Sequence, residues 1–290
     1  METEDEELGP ERIFEIYRKD WLMMWGRNGA RSFEAETEFP PMRYTDIPVL
    51  PSNARPGDTM EVFFLKRNYL FRRGRDNCQT LTSPQDSLLE LTGPSRVILL
   101  WDEPVFELDL KAKGKAGSSS SEDDKILCLD FFGYNNICYK GSLSYAKTEV
   151  VSSKHSTVEV RFAHLKRSVE ATITARISKG SGNFSARLTA CNTSIGEDVV
   201  LLDTRGQEVP VGEDGEVRLQ RRVVVVEERA QLILGIKAEQ IAGDTAETAE
   251  SSSKLEKKFG FYAKSALRNE GYFHVGSSSL HILVAWSLLP

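Results

Sequence analysis

Chemistry asks for particular side chains at particular spacings, and the 290-residue chain offers few such sets. Its four histidines, His155, His164, His274 and His281, stand apart from one another. His281 alternates with apolar neighbours and His164 closes a strand-like run, so both read as surface or rim residues and not as catalytic bases. There is no His-Glu-x-x-His, no P-loop, no Gly-x-Ser-x-Gly elbow and no Gly-x-Gly-x-x-Gly after a strand. The cysteines Cys78, Cys128, Cys138 and Cys191 lack the close pairs that zinc needs and read as buried or half-buried small residues. Acid pairs occur at Asp102-Glu103 and Asp123-Asp124, in turn-like or loop-like sequence. Clustered loop carboxylates can ligate calcium or do acid–base work, but here their spacing is irregular. No catalytic, cofactor-binding or metal-ligating residue is therefore assigned, and no cofactor is expected.

The densest basic cluster is Lys66, Arg67, Arg72, Arg73 and Arg75, interleaved with Tyr69 and Phe71. Cations and aromatics in that mixture can hold single-stranded nucleic acid by charge and stacking. The plainer reading turns Tyr69 and Phe71 into the core and leaves the cations wet. Arg221-Arg222 precedes the apolar run 223–226 and reads as a gatekeeper at a strand edge. Net charge is −6, yet five acids lie within the first eight residues. Without them 37 basic residues face 38 acidic ones, so strong global attraction to nucleic acid or an anionic membrane is not expected.

The elements that must position these side chains are mostly strands. Inward residues alternate with polar ones in 105–113 (Phe106, Leu108, Leu110, Ala112) and 169–178 (Val169, Ala171, Ile173, Ala175, Ile177). In the second run Glu170, Thr172, Thr174 and Arg176 should face solvent. The alternation returns at Phe184–Ala190, Leu232–Ala238 and Leu280–Leu288. Further strands are predicted at 60–65, 69–73, 96–100, 126–132, 143–151, 157–164, 199–203, 216–226 and 258–263. Glu213-Asp214-Gly215 predicts a tight turn, because Asp-Gly tolerates positive φ. The fold class is all-β, an antiparallel sandwich or barrel with an N-terminal amphipathic helix.

That helix is predicted over 11–26, where Ile13, Phe14, Tyr17, Trp21, Met24 and Trp25 recur at three- and four-residue steps. Trp21 and Trp25 make its face a candidate partner surface. Residues 1–10 read as an acidic tail, 27–58 as a proline-rich linker and 59–290 as one β domain. The tracts 113–125 and 242–254 read as exposed loops. The opening METEDEEL has neither the basic nor the apolar region of a secretory signal, which predicts a cytoplasmic or nuclear protein. No run approaches the ~18 apolar residues of a transmembrane helix.

One succession of motifs is specific. Arg75-Asp76-Asn77-Cys78-Gln79 is followed by Leu91-Thr92-Gly93-Pro94-Ser95-Arg96, Phe106-Glu107-Leu108-Asp109-Leu110-Lys111, Arg167-Ser168-Val169-Glu170-Ala171, Val200-Leu201-Leu202-Asp203 and Val284-Ala285-Trp286-Ser287-Leu288. It resembles a grass-plant domain family of unknown function, over about residues 60–289. The resemblance implies an all-β fold and marks Arg75, Asp76, Asn77, Cys78, Gln79, Gly93, Pro94 and Trp286 as family-motif residues without a known role. Some members of that family are joined to ribosome-inactivating rRNA N-glycosidases. The Ser-Glu-Ala-Ala-Arg-type helix of that enzyme class has no match here, and Glu170 and Arg176 sit in a strand pattern instead. The run 60–65 passes almost directly into Lys66-Arg67-Asn68, shorter than the family's, which predicts an early strand with an unpaired edge. The leading expectation is a non-catalytic binding domain for an unknown protein or ligand. The alternatives are an rRNA N-glycosidase-related defence protein and a calcium-dependent membrane-docking module.

Overall fold

The computed structural model describes residues 9–25, 70–81, 87–94, 97–98, 100, 103–114, 123–135, 143–241 and 254–288. The acidic tail up to residue 8, the linker, the predicted strand 60–65, Cys138 and Asp102 lie outside them, as does the loop 242–253. Among the described residues the chain is all-β with one helix, and all strand pairs are antiparallel. The strands are β1 (Val105–Ala112), β2 (Lys125–Gly133), β3 (Tyr145–Ser152), β4 (Thr157–His164), β5 (Ser168–Lys179), β6 (Phe184–Asn192), β7 (Asp198–Asp203), β8 (Val223–Glu227), β9 (Gln231–Gln240), β10 (Lys254–Tyr262), β11 (Arg268–Val275) and β12 (Ser278–Leu288).

Two four-stranded sheets, ordered β10-β9-β6-β7 and β11-β12-β5-β8, carry the main core. Alternation places Val169, Ala171, Ile173 and Ala175 of β5 beside Leu280, Ile282, Val284 and Trp286 of β12. Opposite them lie Phe184, Ala186, Leu188 and Ala190 of β6 and Leu232, Leu234, Ile236 and Ala238 of β9. Ile173 is 1% exposed and Val284 0%. Sheets that bury one face each in this way form a sandwich, and the described strands do not close into a barrel. The turn at Gly215 adopts φ +81°, and Asp214 Oδ1 accepts from Glu216 N at 3.0 Å.

A smaller core joins the β1–β2 and β3–β4 hairpins through Leu108, Cys128 and Val151. Phe106, Phe132 and Phe162 stack across the two hairpins. Among the described strands β1 and β2 pair only with each other. Helix α1 (Pro10–Trp25) lies on the opposite side of β1–β2. Its Tyr17 ring stacks on Phe131 at 4.0 Å and its hydroxyl donates to Glu107 Oε1 at 2.9 Å. Arg18 reaches Asp109 at 3.5 Å. The acids predicted to face water on β1 thus hold the helix.

The outer face of β5 departs from the alternation argument. Glu170 is 0% exposed, and Thr172, Val223 and Ala285 on the same face are buried too. The cover is the segment predicted as strands 69–73 and 96–100, which is coil where described. Its backbone groups are used in crossing contacts: Thr92 N and Gly93 N donate to Leu70 O, Arg72 N to Thr92 Oγ1, and Val97 N to Glu170 Oε2 at 2.9 Å. A carboxylate that captures a backbone N–H fixes the coil on the sheet.

Replacing Glu170 with alanine strands the Val97 N–H and opens a void, so a loss of about 1–3 kcal/mol is expected in denaturant unfolding. Hydrogen exchange at Val97 should accelerate with it. Unchanged protection there would contradict this role.

Candidate functional site

The covering coil forms one wall of a cleft of about 510 Å3. The other wall is the stretch 216–222, predicted as the first part of a continuous strand but irregular in the structure. Glu216 and Val217 make isolated bridges, and regular β8 begins only at Val223. The reason lies in the backbone. Gln220 N and Arg221 N both donate to Leu201 O of β7 (2.8 and 3.1 Å), while Arg222 O accepts from Ile173 N of β5 at 2.7 Å. These residues therefore cross from one sheet to the other, and their side chains splay into the cleft.

Arg72, Gly93 and Pro94 line the coil side, and Glu216, Arg218, Arg221 and Arg222 line the crossing side. Arg218 and Arg222 are exposed and Arg221 is half-buried. Arg221 Nε donates to Val223 O at 3.1 Å. Burial alone pushes its guanidinium below the ordinary arginine range. None of Arg218, Arg221 and Arg222 is paired with a carboxylate among the described residues. Elsewhere on this protein arginines do find carboxylates: Arg161 with Glu197, Arg187 with Asp203, and Arg73 and Arg205 with Glu90. Guanidinium groups that outnumber the one acid, Glu216, among the described residues of a concave site are suited to a ligand that brings negative charge.

The family-motif residues mostly fasten the coil. Arg75, Asp76 and Asn77 form a single 3-10 turn. Arg75 Nε donates to both oxygens of Asp124 (3.0 and 2.9 Å). The Gly114 N–H, ahead of the Arg75 charge, holds the Asp124 carboxyl below the usual range. Gln79 clamps the coil to itself, donating to Leu88 O and accepting from Glu90 N. Trp286 is buried with its indole N–H on Asn269 Oδ1 at 2.8 Å. Cys78 is exposed, unlike the buried or half-buried expectation, because the turn that carries it contributes nothing to either core. Cys128 is buried and Cys191 half-buried. Among the described motif residues Thr92, Gly93 and Pro94 line the cleft.

The two residues weighed as a glycosidase pair do not meet. Glu170 lies under the coil, whereas Arg176 is exposed and 3.7 Å from Asp214. Among the described residues no three His, Cys, Asp or Glu side chains converge as metal ligands would. Asp124, weighed for calcium, is bonded to Gly114 N and Arg75. Trp21 is half-buried in a shallow cleft of about 350 Å3 with Ile13, Ile16, Tyr17, Asp20 and Phe131. The Trp25 side chain lies outside the description. No described helix is long and apolar enough to cross a membrane.

Sequence reasoning missed one cluster. His164, expected at the rim, is buried where the two hairpins meet. Tyr134, just past β2, hydrogen-bonds to Tyr145 and to His164 Nδ1 (2.9 Å). Phe162 packs edge-on against the Tyr134 ring and Lys147 lies over it. Burial first, and the Lys166 charge second, push the His164 imidazole down from its ordinary value. Its position at the end of a strand was legible, but the tyrosine from another hairpin was not.

A family model described as "Domain of unknown function (DUF6598)" matches residues 61–284. No curated protein matches the chain.

A histidine titrating below its unfolded value of ~6.5 adds stability above that pH. The contribution is lost as pH falls through the folded value. The unfolding temperature should therefore drop as pH falls from about 7.5 to 5, and His164→Gln should flatten that stretch of the profile. An identical slope in the variant would remove His164 as its source.

Proposed function

Because the chain belongs to the DUF6598 family, a domain of unknown function, its site must carry the reading, and we propose a non-catalytic binding domain that takes an anionic ligand in the arginine-lined cleft. The observation that carries this is the set Arg218, Arg221 and Arg222, unpaired with carboxylates among the described residues and lining one concavity. A free guanidinium forms charge-assisted, forked hydrogen bonds that neutral ligands cannot match. The cleft volume falls in the ~300–1,000 Å3 range of small-ligand sites. Half-buried Leu219 and the neighbouring Pro94 supply apolar wall between the charges. Among the described residues the lining contains one carboxylate, Glu216, and no histidine or cysteine, so these residues offer cations for holding charge and little for moving protons.

The test is thermal unfolding with inorganic tripolyphosphate as the probe. Ligand that binds only the folded chain raises the midpoint by mass action. The wild-type midpoint should rise, and the rise should shrink in high salt. Arg218→Ala with Arg222→Ala should weaken binding by about tenfold or more, since each lost charged hydrogen bond is worth roughly 1.5–3 kcal/mol. Arg187→Ala, whose guanidinium already holds Asp203, should bind as wild type. Equal responses in all three proteins would contradict the assignment, and depurination of ribosomes by the purified protein would contradict a non-catalytic role.

A further inference from the structure

The cleft opens onto a sheet face that carries a row of side chains suited to nucleobases. Tyr272 of β11 pairs with His281 of β12, His281 with Arg176 of β5, and Arg176 with Glu216. The four positions sit side by side on neighbouring strands, and Glu216 lines the cleft. At ~4.8 Å per strand the row spans about 14 Å. Its inward neighbours Phe273, Ile282 and Ala175 are buried, so the row lies on the outer face. Tyr272 is 47% exposed, and its ring stacks on the His281 imidazole at 4.7 Å and 20°. That stack covers one face of the tyrosine ring with the imidazole, and because β11 is the edge of its sheet no described strand pairs with it on the side away from His281. Arg176 is more than half exposed and pairs only loosely with Asp214.

We infer that the anionic ligand is single-stranded nucleic acid, its phosphates held by Arg218, Arg221 and Arg222 and a base stacked on Tyr272. This rests on the anion-binding reading and names the polymer that fits it. A rigid aromatic plane beside a cationic cleft is the combination that binds single strands without needing base-edge readout. Charge sets the polarity. Glu270 reaches His281 Nε2 at 3.3 Å and Arg268 Nε at 3.9 Å and stands next to the tyrosine, so that end has its cation already matched and can accept from base amino groups. The arginine end does the reverse. Arg72, from the basic cluster prominent in the sequence, lines the same cleft. An acidic peptide would satisfy the arginines but would find no use for the stacked pair.

The experiment measures fluorescence anisotropy of the full chain with three probes of matched charge. They are a mixed-sequence oligonucleotide of about twelve residues, long enough to span the row of about 14 Å and the cleft, inorganic polyphosphate, and an oligo-glutamate peptide. The oligonucleotide should bind at least about tenfold tighter than the other two, the gain of roughly one stacked base. Tyr272→Ala should remove that gain and leave polyphosphate binding unchanged, while Tyr272→Phe, which keeps the ring, should retain it. Arg218→Ala with Arg222→Ala should weaken all probes. Oligonucleotide and polyphosphate binding equally, with Tyr272→Ala silent, would overturn the nucleic-acid inference and leave the anion site standing. Preference for the peptide would overturn it in favour of an acidic protein. Failure of all three probes would overturn both readings.

Discussion

The outer face of β5 has to be covered, and the coil that covers it creates the site. Glu170 is a carboxylate at 0% exposure, a placement that costs free energy unless its oxygens are used. Val97 N–H uses one of them. Arg75 on Asp124, Gln79 on Leu88 and Glu90, and Glu90 on Arg73 and Arg205 then fasten the rest of the coil. With that coil fixed, Gly93 and Pro94 become a wall and the cleft has a defined shape.

The opposite wall follows from how the sandwich closes at one edge. β7 belongs to one sheet and β8 to the other, so the chain between them must cross. A crossing segment cannot keep a regular ladder with both sheets. Here Leu201 O accepts two N–H groups, and the ladder resumes at Val223. Irregular backbone is where side chains can be aimed away from the two-sided pattern of a strand. Three arginines occupy it, alongside the single acid Glu216, while Asp203, Asp214 and Glu90 are engaged with Arg187, Arg176 and Arg73 or Arg205.

Much of the framework was legible because water and oil alternate with the pleat. The strand read at 157–164 matches β4, and the runs at 169–178 and in 105–113 match β5 and β1 within a few residues. The helix and the Gly215 turn were equally readable. β11 was not predicted, since two of its inward positions are Asn269 and Gly271. Asn269 accepts from the Trp286 indole. At Gly271 a Cβ would stand 3.2 Å from the Phe261 ring, so the aromatics of β10 supply the apolar volume that its own sequence lacks. The burial of Glu170 and Thr172 was invisible because their cover comes from some 75 residues earlier in the chain. The cleft was hidden for the same reason. Arg72, Gly93 and the 216–222 crossing are far apart in sequence, and reading Arg221-Arg222 as a gatekeeper at a strand edge says nothing of what faces them.

The most direct measurement is NMR of the arginine Nε–Hε signals during titration with inorganic tripolyphosphate. The account predicts that Arg218, Arg221 and Arg222 shift together and saturate at one affinity, while Arg161 and Arg187, already held by Glu197 and Asp203, stay in place. Shifts spread evenly over the surface arginines, or confined to residues outside the cleft, would contradict it.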